Sequence, residues 1–467
     1  MKGRIYIRTL GCPKNETDGA VLARFLERLG WRVVDDPLGA DAEIVNTCGF
    51  IEATKLESIE ALWEGAARKT RAVKGGSSRR LIATGCLAQR YPQQIAAQID
   101  GLDAVVGFNQ PDLIAKALAA ATNGGTPACW VPKPDTTYRD DAAPWVFDGD
   151  HPAPLSAYVK IGDGCENACR FCAIPSIRGR LRSRPLPSIR DEVASLVMHG
   201  TREVILVSQD TTSYGLDWGG QPDLADLLAS LAVIPGDFWI RVMYAHPAFL
   251  TDRQIAALAS DAKIVPYLDL PLQHITDRML GIMNRHVTRA QIERQIDALR
   301  RARPGIALRT TFIVGHPGET EHDFRQLCSF AAEIAFERMG VFVYSPEEGT
   351  PAVGFRGQVG RAVAEARASE LMAEFDRWSA LQSAERIGQR MTCLIEQAAS
   401  DGTWEGRTAF DAPEIDGRVT LRSAESVRPG LHEIEITAAD GVDLVGMTCD
   451  HSVPVMTGDR TMSGVAR

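Results

Sequence analysis

The chain has 467 residues and a mass of 50.8 kDa, which is too long for one hydrophobic core and predicts about three domains. Apolar residues make up 45% of it and charged residues 24%, values that exclude disordered, collagen-like and coiled-coil proteins. The net charge of −9 at pH 7 counts against a nucleic-acid binder, because such proteins need basic surface. Neither a signal peptide nor an apolar run of about 18 residues is found, so we expect a cytoplasmic protein without membrane contact.

Residues 1–121 alternate short apolar runs with amphipathic stretches. The runs typical of buried strands begin at Ile5, Arg32, Ala42, Arg79 and Ala104. This alternation predicts an α/β domain with a doubly wound parallel sheet, in which ligands bind at the carboxyl ends of the strands.

Three further segments follow. Residues 122–154 are dense in Pro, Gly and Asp and are interpreted as a linker. Residues 155–387 contain about six βα units, which predict a partial or complete (β/α) barrel with its chemistry at the strand carboxyl ends. Residues 388–467 contain short alternating runs, which predict a small antiparallel β-barrel.

Three cysteines lie within eight residues, directly after the first strand of the barrel-like segment: Cys165, Cys169 and Cys172. A structural zinc site normally has four ligands, and no fourth Cys or His follows at finger-like spacing. Three thiolates can instead bind an iron–sulfur cluster and leave one iron open. Incidental buried cysteines, or a zinc site with a distant ligand, are the alternatives.

A second set of cysteines is spread over the first domain. Cys12, Cys48 and Cys86 each follow a predicted strand and adjoin a glycine. Since parallel strands end at one edge of a sheet, the three can converge there and bind a second cluster. Three independent core cysteines are the alternative.

The C-x3-C-x2-C spacing, with Phe171 before the last cysteine, resembles the radical S-adenosylmethionine superfamily. The resemblance implies a [4Fe-4S] cluster on Cys165, Cys169 and Cys172 whose open iron binds S-adenosylmethionine and generates a carbon radical. Both cysteine sets together resemble the methylthiotransferase family. That likeness implies a second [4Fe-4S] cluster on Cys12, Cys48 and Cys86, a central radical domain and a C-terminal TRAM barrel.

The segments CAIPSIRGRLRSRP, SQDTTSYG, PYLDLPLQH, YSPEEGTPA and DAPEIDG are similar to the branch of that family which modifies small-subunit ribosomal protein twelve. The resemblance implies β-methylthiolation of an aspartate, with an electron donor such as flavodoxin or ferredoxin. From Arg390 to Arg467 there are seven Arg, no Lys and 13 Asp and Glu, a net charge of −6. An acidic TRAM segment favours a basic protein partner over tRNA. The alternatives are a tRNA adenosine methylthiotransferase and a non-catalytic, metal-stabilised scaffold that docks on the ribosome.

The resemblance also suggests residues that bind S-adenosylmethionine: Phe171, Gln209, Arg309, Gly315 and Gly318. Each has a structural alternative, namely core packing, a buried hydrogen bond or a tight turn.

Alternating arginines follow the cysteine loop at Arg178, Arg180, Arg182 and Arg184. They could clamp a carboxylate, or lie in solvent or pair with the N-terminal domain. The remaining cysteines have no spacing partners and are interpreted as structural: Cys129, Cys328, Cys393 and Cys449.

Overall fold

The computed structural model describes residues 2–76, 78–120, 126–134, 153–422 and 427–449. The chain separates into two compact units, Met1–Ser379 and Ala380–Arg467. Within the described ranges, no helix is long and apolar enough to cross a membrane.

The first sheet has six strands in the order β2-β1-β3-β4-β5-β6, and all neighbours are parallel. Its strands are β1 Gly3–Thr9, β2 Trp31–Val33, β3 Ala42–Thr47, β4 Arg80–Gly85, β5 Ala104–Val106 and β6 Ala128–Trp130. All six residues of the central strand β3 are buried, as expected where helices cover both faces of a parallel sheet. The expectation of a parallel α/β sheet is confirmed.

Helices pack on the two faces of this sheet over two separate apolar clusters. They are α1 Pro13–Arg28, α2 Glu52–Lys74, α3 Cys86–Arg90, α4 Pro92–Gln98 and α5 Pro111–Ala119. Three of them begin with proline, whose fixed φ suits the first helical turn and whose missing N–H is not needed there.

Part of the segment interpreted as a linker belongs to the first sheet. Residues 128–130 form β6 and pair with β5, from Ala104↔Ala128 to Val106↔Trp130. The strand is only three residues long and prolines lie close on both sides, at Pro127 and Pro132, so local composition hid it. Residues 122–125 and 135–152 of the segment lie outside the described residues.

The second sheet is the open, partial form of the expected barrel, with parallel order β14-β13-β12-β11-β10-β7. Its strands are β7 Ser156–Lys160, β10 Glu203–Val207, β11 Trp239–Val242, β12 Ile264–Asp269, β13 Ala307–Val314 and β14 Arg338–Val343. Two short strands, β8 Gly162–Asp163 and β9 Arg182–Ser183, pair with each other and flank the cysteine loop.

Helices alternate with these strands as the βα pattern predicts. They are α6 Ile174–Arg178, α7 Leu186–Met198, α8 Leu224–Ala232, α9 Asp252–Leu258, α10 Asp277–Met283, α11 Arg289–Ala302, α12 Glu321–Ile334 and α13 Arg361–Ala384. Several have a side-chain N-cap, for example Thr320 Oγ1, which accepts a hydrogen bond from the Asp323 N–H.

The second unit contains a closed five-stranded barrel in the order β15-β16-β17-β19-β18. Its strands are β15 Arg390–Ala398, β16 Trp404–Thr408, β17 Val419–Leu421, β18 Gly430–Asp440 and β19 Asp443–Thr448. Four of the pairings are antiparallel, whereas β17 and β19 are parallel. The expected small barrel is present. The sequence pattern predicted antiparallel strands only, so the parallel pairing of β17 and β19 differs from the prediction.

Candidate active site

The three N-terminal cysteines lie at one edge of the first sheet. Cys12 is the N-cap of α1, Cys48 follows the end of β3, and Cys86 is the first residue of α3 after β4. Because β1, β3 and β4 are adjacent and parallel, their carboxyl ends place the three cysteines at the same edge of the sheet.

Glycines beside these cysteines allow the close approach. A Cβ on Gly11 would lie 2.5 Å from Cys48 Sγ, and a Cβ on Gly49 would lie 2.7 Å from the Cα of Leu87. Ser58 fixes the backbone of Cys48, donating from Oγ to its carbonyl and accepting from its N–H, both at 2.9 Å. Positions 11 and 49 therefore accept no side chain larger than that of glycine, which lets the backbone segments that carry the cysteines approach one another closely.

A buried arginine contacts this set from the central domain. Arg178 Nη2 donates to Cys86 Sγ at 3.4 Å and to Asp18 at 2.9 Å, and Nη1 donates to Asp163 at 3.2 Å. Burial raises the pKa of the Cys86 thiol to about 11, although the Arg178 guanidinium opposes this rise.

The second set lies on the loop between β8 and α6. Cys165 Sγ accepts a hydrogen bond from the Asn167 N–H at 3.4 Å, and Asn167 Nδ2 donates to Asp210 at 2.7 Å. Arg285 Nη1 donates to Cys169 Sγ at 3.5 Å. Burial raises the pKa of the thiols of Cys165 and Cys172 to about 12. Each cysteine set thus has one arginine N–H directed at a sulfur.

The structure brings the two sets to facing surfaces of one unit. Cys86 packs in a buried cluster with Ala173, which follows Cys172 directly, and Ile177 of α6. Lys14, two residues after Cys12, places its Nζ 3.1 Å from the centroid of the Tyr244 ring at the end of β11. The carboxyl edge of the first sheet therefore faces the carboxyl edge of the second.

Ion pairs hold this domain contact in place. Glu347, after β14, accepts from Lys55 of α2 at 2.7 Å and from Arg90 of α3 at 2.8 Å. Burial alone would raise the pKa of Glu347, but the two cations outweigh it and hold that pKa below its usual range.

Gln209 follows the carboxyl end of β10, and Arg309 lies within β13 beside Asp269, the last residue of β12. The amide nitrogen and oxygen of Gln209 are buried and have no hydrogen-bond partner among the described residues. Arg309 pairs with Asp269 at 2.9 Å. An unpaired buried amide next to the cysteine loop fits a polar ligand.

Phe171 packs edge-on against His316, with ring centroids 6.3 Å apart at 87°. His316 also lies 5.0 Å from the ring of Tyr344. Burial lowers the pKa of His316, which favours the neutral imidazole. The ring therefore packs with Phe171 and Tyr344 as part of an aromatic wall.

The structure gives Gly315 a packing role. It has φ +76°, and a Cβ there would lie 2.3 Å from the Cβ of Ala364 in α13. Its N–H donates to Glu319 at 2.7 Å and so is already occupied. Gly318, with φ +88°, would place a Cβ at an ordinary 3.5 Å from Ile282. A cofactor contact at either glycine stays a prediction.

The buried arginines of this run have partners within the protein. Arg178 bonds Asp18 of the N-terminal domain, and Arg184 pairs with Glu192. Arg182 donates to the carbonyl of Arg178 at 3.0 Å, whereas the side chain of Arg180 is 83% exposed. Arg178 thus pairs with the N-terminal domain and Arg180 lies in solvent, as the alternative predicts, whereas Arg184 pairs within its own domain. Because the guanidinium groups of Arg178 and Arg184 already have carboxylate partners, the structure does not favour a clamp for a further carboxylate.

The remaining four cysteines lie elsewhere. Cys393 is fully buried in the barrel core, Cys328 lies in α12 and Cys129 in β6, and Cys449 follows β19. In the part of the chain that the structure describes, no group of three His, Cys, Asp or Glu converges on one metal-ion position.

Several residues of this region escaped sequence reasoning. Arg285, Tyr244 and Asp269 approach the cysteines or Lys14, yet no spacing motif marks them. Their placement at or after the carboxyl ends of β11 and β12 is the one signal that could have found Tyr244 and Asp269.

Three family patterns match the chain in order. They are an uncharacterised family, UPF0004, over residues 4–107, the Radical SAM superfamily over 159–331 and the TRAM domain over 387–448.

Curated relatives match along nearly the whole length. The ribosomal protein uS12 methylthiotransferase RimO of Desulforamulus reducens is 41% identical over 450 residues, covering 95% of this chain and 98% of the relative. RimO of an Anaeromyxobacter species is 42% identical over 448 residues, covering 96% and 93%.

Solved structures share the fold at low sequence identity. The radical S-adenosylmethionine methyltransferase TsrM from Kitasatospora setae has a TM-score of 0.57 and 14% identity, covering 80% of this chain and 89% of that one. The cobalamin-dependent radical enzyme OxsB has a TM-score of 0.50 and 11% identity, covering 80% and 56%. Full-length identity near 40%, rather than this shared fold, decides the family: the chain belongs to the RimO family of radical S-adenosylmethionine methylthiotransferases.

Proposed function

We propose that the protein methylthiolates the β-carbon of an aspartate in small-subunit ribosomal protein uS12. The observation that carries this proposal is the facing arrangement of two cysteine triplets within one unit, Cys12, Cys48 and Cys86 opposite Cys165, Cys169 and Cys172. Membership of the RimO family supplies the substrate.

Each triplet holds one [4Fe-4S] cluster in this proposal. The thiol-only donor set fits iron–sulfur ligation, and three ligands leave one iron of each cluster open. With S-adenosylmethionine bound, such a cluster supplies a carbon radical that abstracts hydrogen. Arg285 donates to Cys169 Sγ and Arg178 to Cys86 Sγ, contacts that offset thiolate charge.

S-adenosylmethionine binds beside the Cys165 loop. The unpaired amide of Gln209 supplies a donor and an acceptor for its polar groups, and Phe171 and His316 form an aromatic wall. Arg309, held by Asp269, contributes positive charge, and the Gly315–Gly318 turn follows the same strand, β13. These residues orient the cofactor and keep water from the radical site.

The acidic barrel recruits uS12, a basic protein, through complementary charge. Exposed carboxylates on the described strands and loops of the barrel include Glu414, Glu433 and Asp440. A low-potential protein such as flavodoxin or ferredoxin supplies electrons, and the reaction takes place in the cytoplasm.

The test compares ribosomal proteins and tRNA from cells with and without this chain by mass spectrometry. We expect loss of one methylthio increment from an aspartyl peptide of uS12, and its return with the wild-type gene. An increment lost from a tRNA adenosine instead would identify a tRNA methylthiotransferase. No lost increment in either, together with unchanged ribosome association of a cysteine-free variant, would identify a scaffold.

A further inference from the structure

Lys14 extends from the first turn of α1 into the contact between the two domains. Its Nζ lies 3.1 Å from the centroid of the Tyr244 ring, which belongs to the central domain. The residue keeps some solvent-accessible surface despite this position.

The other charged groups around this point have partners. Asp269 accepts from Arg309 at 2.9 Å and from the Tyr244 N–H at 3.0 Å. Asp18 pairs with Lys160 and with Arg178.

Lys14, by contrast, makes no hydrogen bond or ion pair to any residue that the structure describes. An ammonium group has three donors and normally finds oxygen acceptors when it is enclosed by protein. The ring of Tyr244 stabilises the charge but accepts no strong hydrogen bond. The site therefore offers one cation to an incoming anion.

The backbone under this cation is strained. Tyr244 has φ +61°, the left-handed region that aromatic residues rarely adopt. Its N–H and carbonyl are held by Asp269 and by the Thr211 N–H at 3.0 and 3.1 Å. Strain maintained by neighbouring bonds is typical of functional positions.

We propose that Lys14 binds the side-chain carboxylate of the target aspartate. The inference rests on the proposed function, because in an aspartyl side chain the carboxylate is bonded to the β-carbon that is modified. Lys14 follows Cys12 by two residues and reaches the strand ends of the radical domain. A carboxylate held there places its β-carbon between the two cysteine sets.

The experiment measures binding of full-length uS12, with aspartate or asparagine at the target position, to the cluster-reconstituted enzyme. The enzyme variants are Lys14→Met and Lys14→Arg, and Lys116→Met serves as the matched control. Lys116 also lies over an aromatic ring, at 5.3 Å from the centroid of Trp130, but at the far edge of the first sheet. Iron content per chain is measured for every variant.

We expect the wild-type enzyme to prefer the aspartate protein, and Lys14→Met to lose about 10- to 100-fold of that affinity without weakening for the asparagine protein. Lys14→Arg retains part of the preference, and Lys116→Met retains all of it. If Lys14→Met still prefers the aspartate protein as strongly as wild type does, the proposal is overturned. Loss of iron from Lys14→Met without a change in that preference would also overturn it, because the ammonium group would then stabilise the cysteine set and not bind the substrate. If wild-type enzyme leaves uS12 without a methylthio group, the proposed function itself fails.

Discussion

Arg178 donates a hydrogen bond to the Sγ of Cys86 at 3.4 Å, although the two residues are 92 positions apart and belong to different domains. The guanidinium also bonds the carboxylates of Asp18 and Asp163. Arg178 ends α6, the helix that follows Cys172, so its side chain links the segment that carries the second cysteine set to Cys86 of the first. The domain contact and the sulfur environment therefore depend on the same group.

Replacing Arg178 with methionine should destabilise the first unit by about 3 kcal/mol or more, because Asp18 and Asp163 lose a buried partner. It should also change the reduction potential of the cluster on the N-terminal set, since hydrogen bonds to sulfur tune that potential. Urea unfolding and potential-controlled spectroscopy measure the two effects.

Arg178→Lys keeps the charge but not the fork of N–H donors, and it should fall between wild type and Arg178→Met. Arg180→Met is the matched control, because Arg180 is two residues away and 83% exposed. Equal effects at positions 178 and 180 would contradict the role assigned to the buried guanidinium.

Cys169→Ala and Cys48→Ala should show that the two cysteine sets have different roles in the reaction. Each variant should retain about half of an expected eight irons per chain after anaerobic reconstitution. Cys169→Ala should abolish reductive cleavage of S-adenosylmethionine, whereas Cys48→Ala should retain cleavage and lose methylthio transfer. Cys328→Ala, outside both sets, should behave as wild type. Cleavage that survives in Cys169→Ala would contradict the assignment of the radical site.

Much of this site could be predicted from the sequence, because each N-terminal cysteine directly follows a strand that the local residue pattern reveals. A cysteine at the end of each of three parallel strands must reach one sheet edge, so Cys12, Cys48 and Cys86 could be grouped in advance. The facing of the two sets could not be predicted, because it depends on side-chain pairs such as Arg178 with Asp18, 160 residues apart. The contact between Lys14 and Tyr244 could not be predicted either, because it arises from domain packing, and domain packing leaves no periodic pattern in the sequence.

Gly315→Ala should destabilise the first unit by about 2–4 kcal/mol. The new methyl would meet Ala364 at 2.3 Å, and φ +76° disfavours any side chain. Gly349→Ala is the control for backbone strain alone, because Gly349 has φ +82° but no atom within 4 Å of the added Cβ. A loss of stability no larger than that of Gly349→Ala would mean that α13 moves aside freely.

Glu347→Gln should weaken the domain contact in a pH-dependent way. Lys55 and Arg90 hold the pKa of Glu347 below its unfolded value of about 4.3, so the pair stabilises the fold above that pH. As the pH falls through the folded-state pKa, the carboxyl is protonated and the stabilisation is lost.

The stability difference between wild type and Glu347→Gln should therefore be about 2–3 kcal/mol near pH 7 and shrink as the pH falls below about 4. Urea unfolding at several pH values measures it. Glu365→Gln removes an exposed pair with Arg361 and should change stability by less than about 0.5 kcal/mol at every pH. A pH-independent difference for Glu347→Gln would mean that hydrogen bonding alone accounts for it.

Neutralising the acidic barrel should weaken uS12 binding without affecting the chemistry at the cysteines. In the triple variant Glu414→Gln, Glu433→Gln and Asp440→Asn, exposed carboxylates are removed from the described part of the barrel. Binding should fall about 10-fold at low salt and converge with wild type at high salt, because exposed charges act mainly through long-range attraction. Uncoupled cleavage of S-adenosylmethionine should stay at the wild-type rate, since it needs no uS12. A similar triple variant on α13, with Glu365, Glu370 and Glu374 changed to Gln, removes equal charge from the other unit. If both variants weaken uS12 binding equally, net charge and not the barrel surface would determine recruitment.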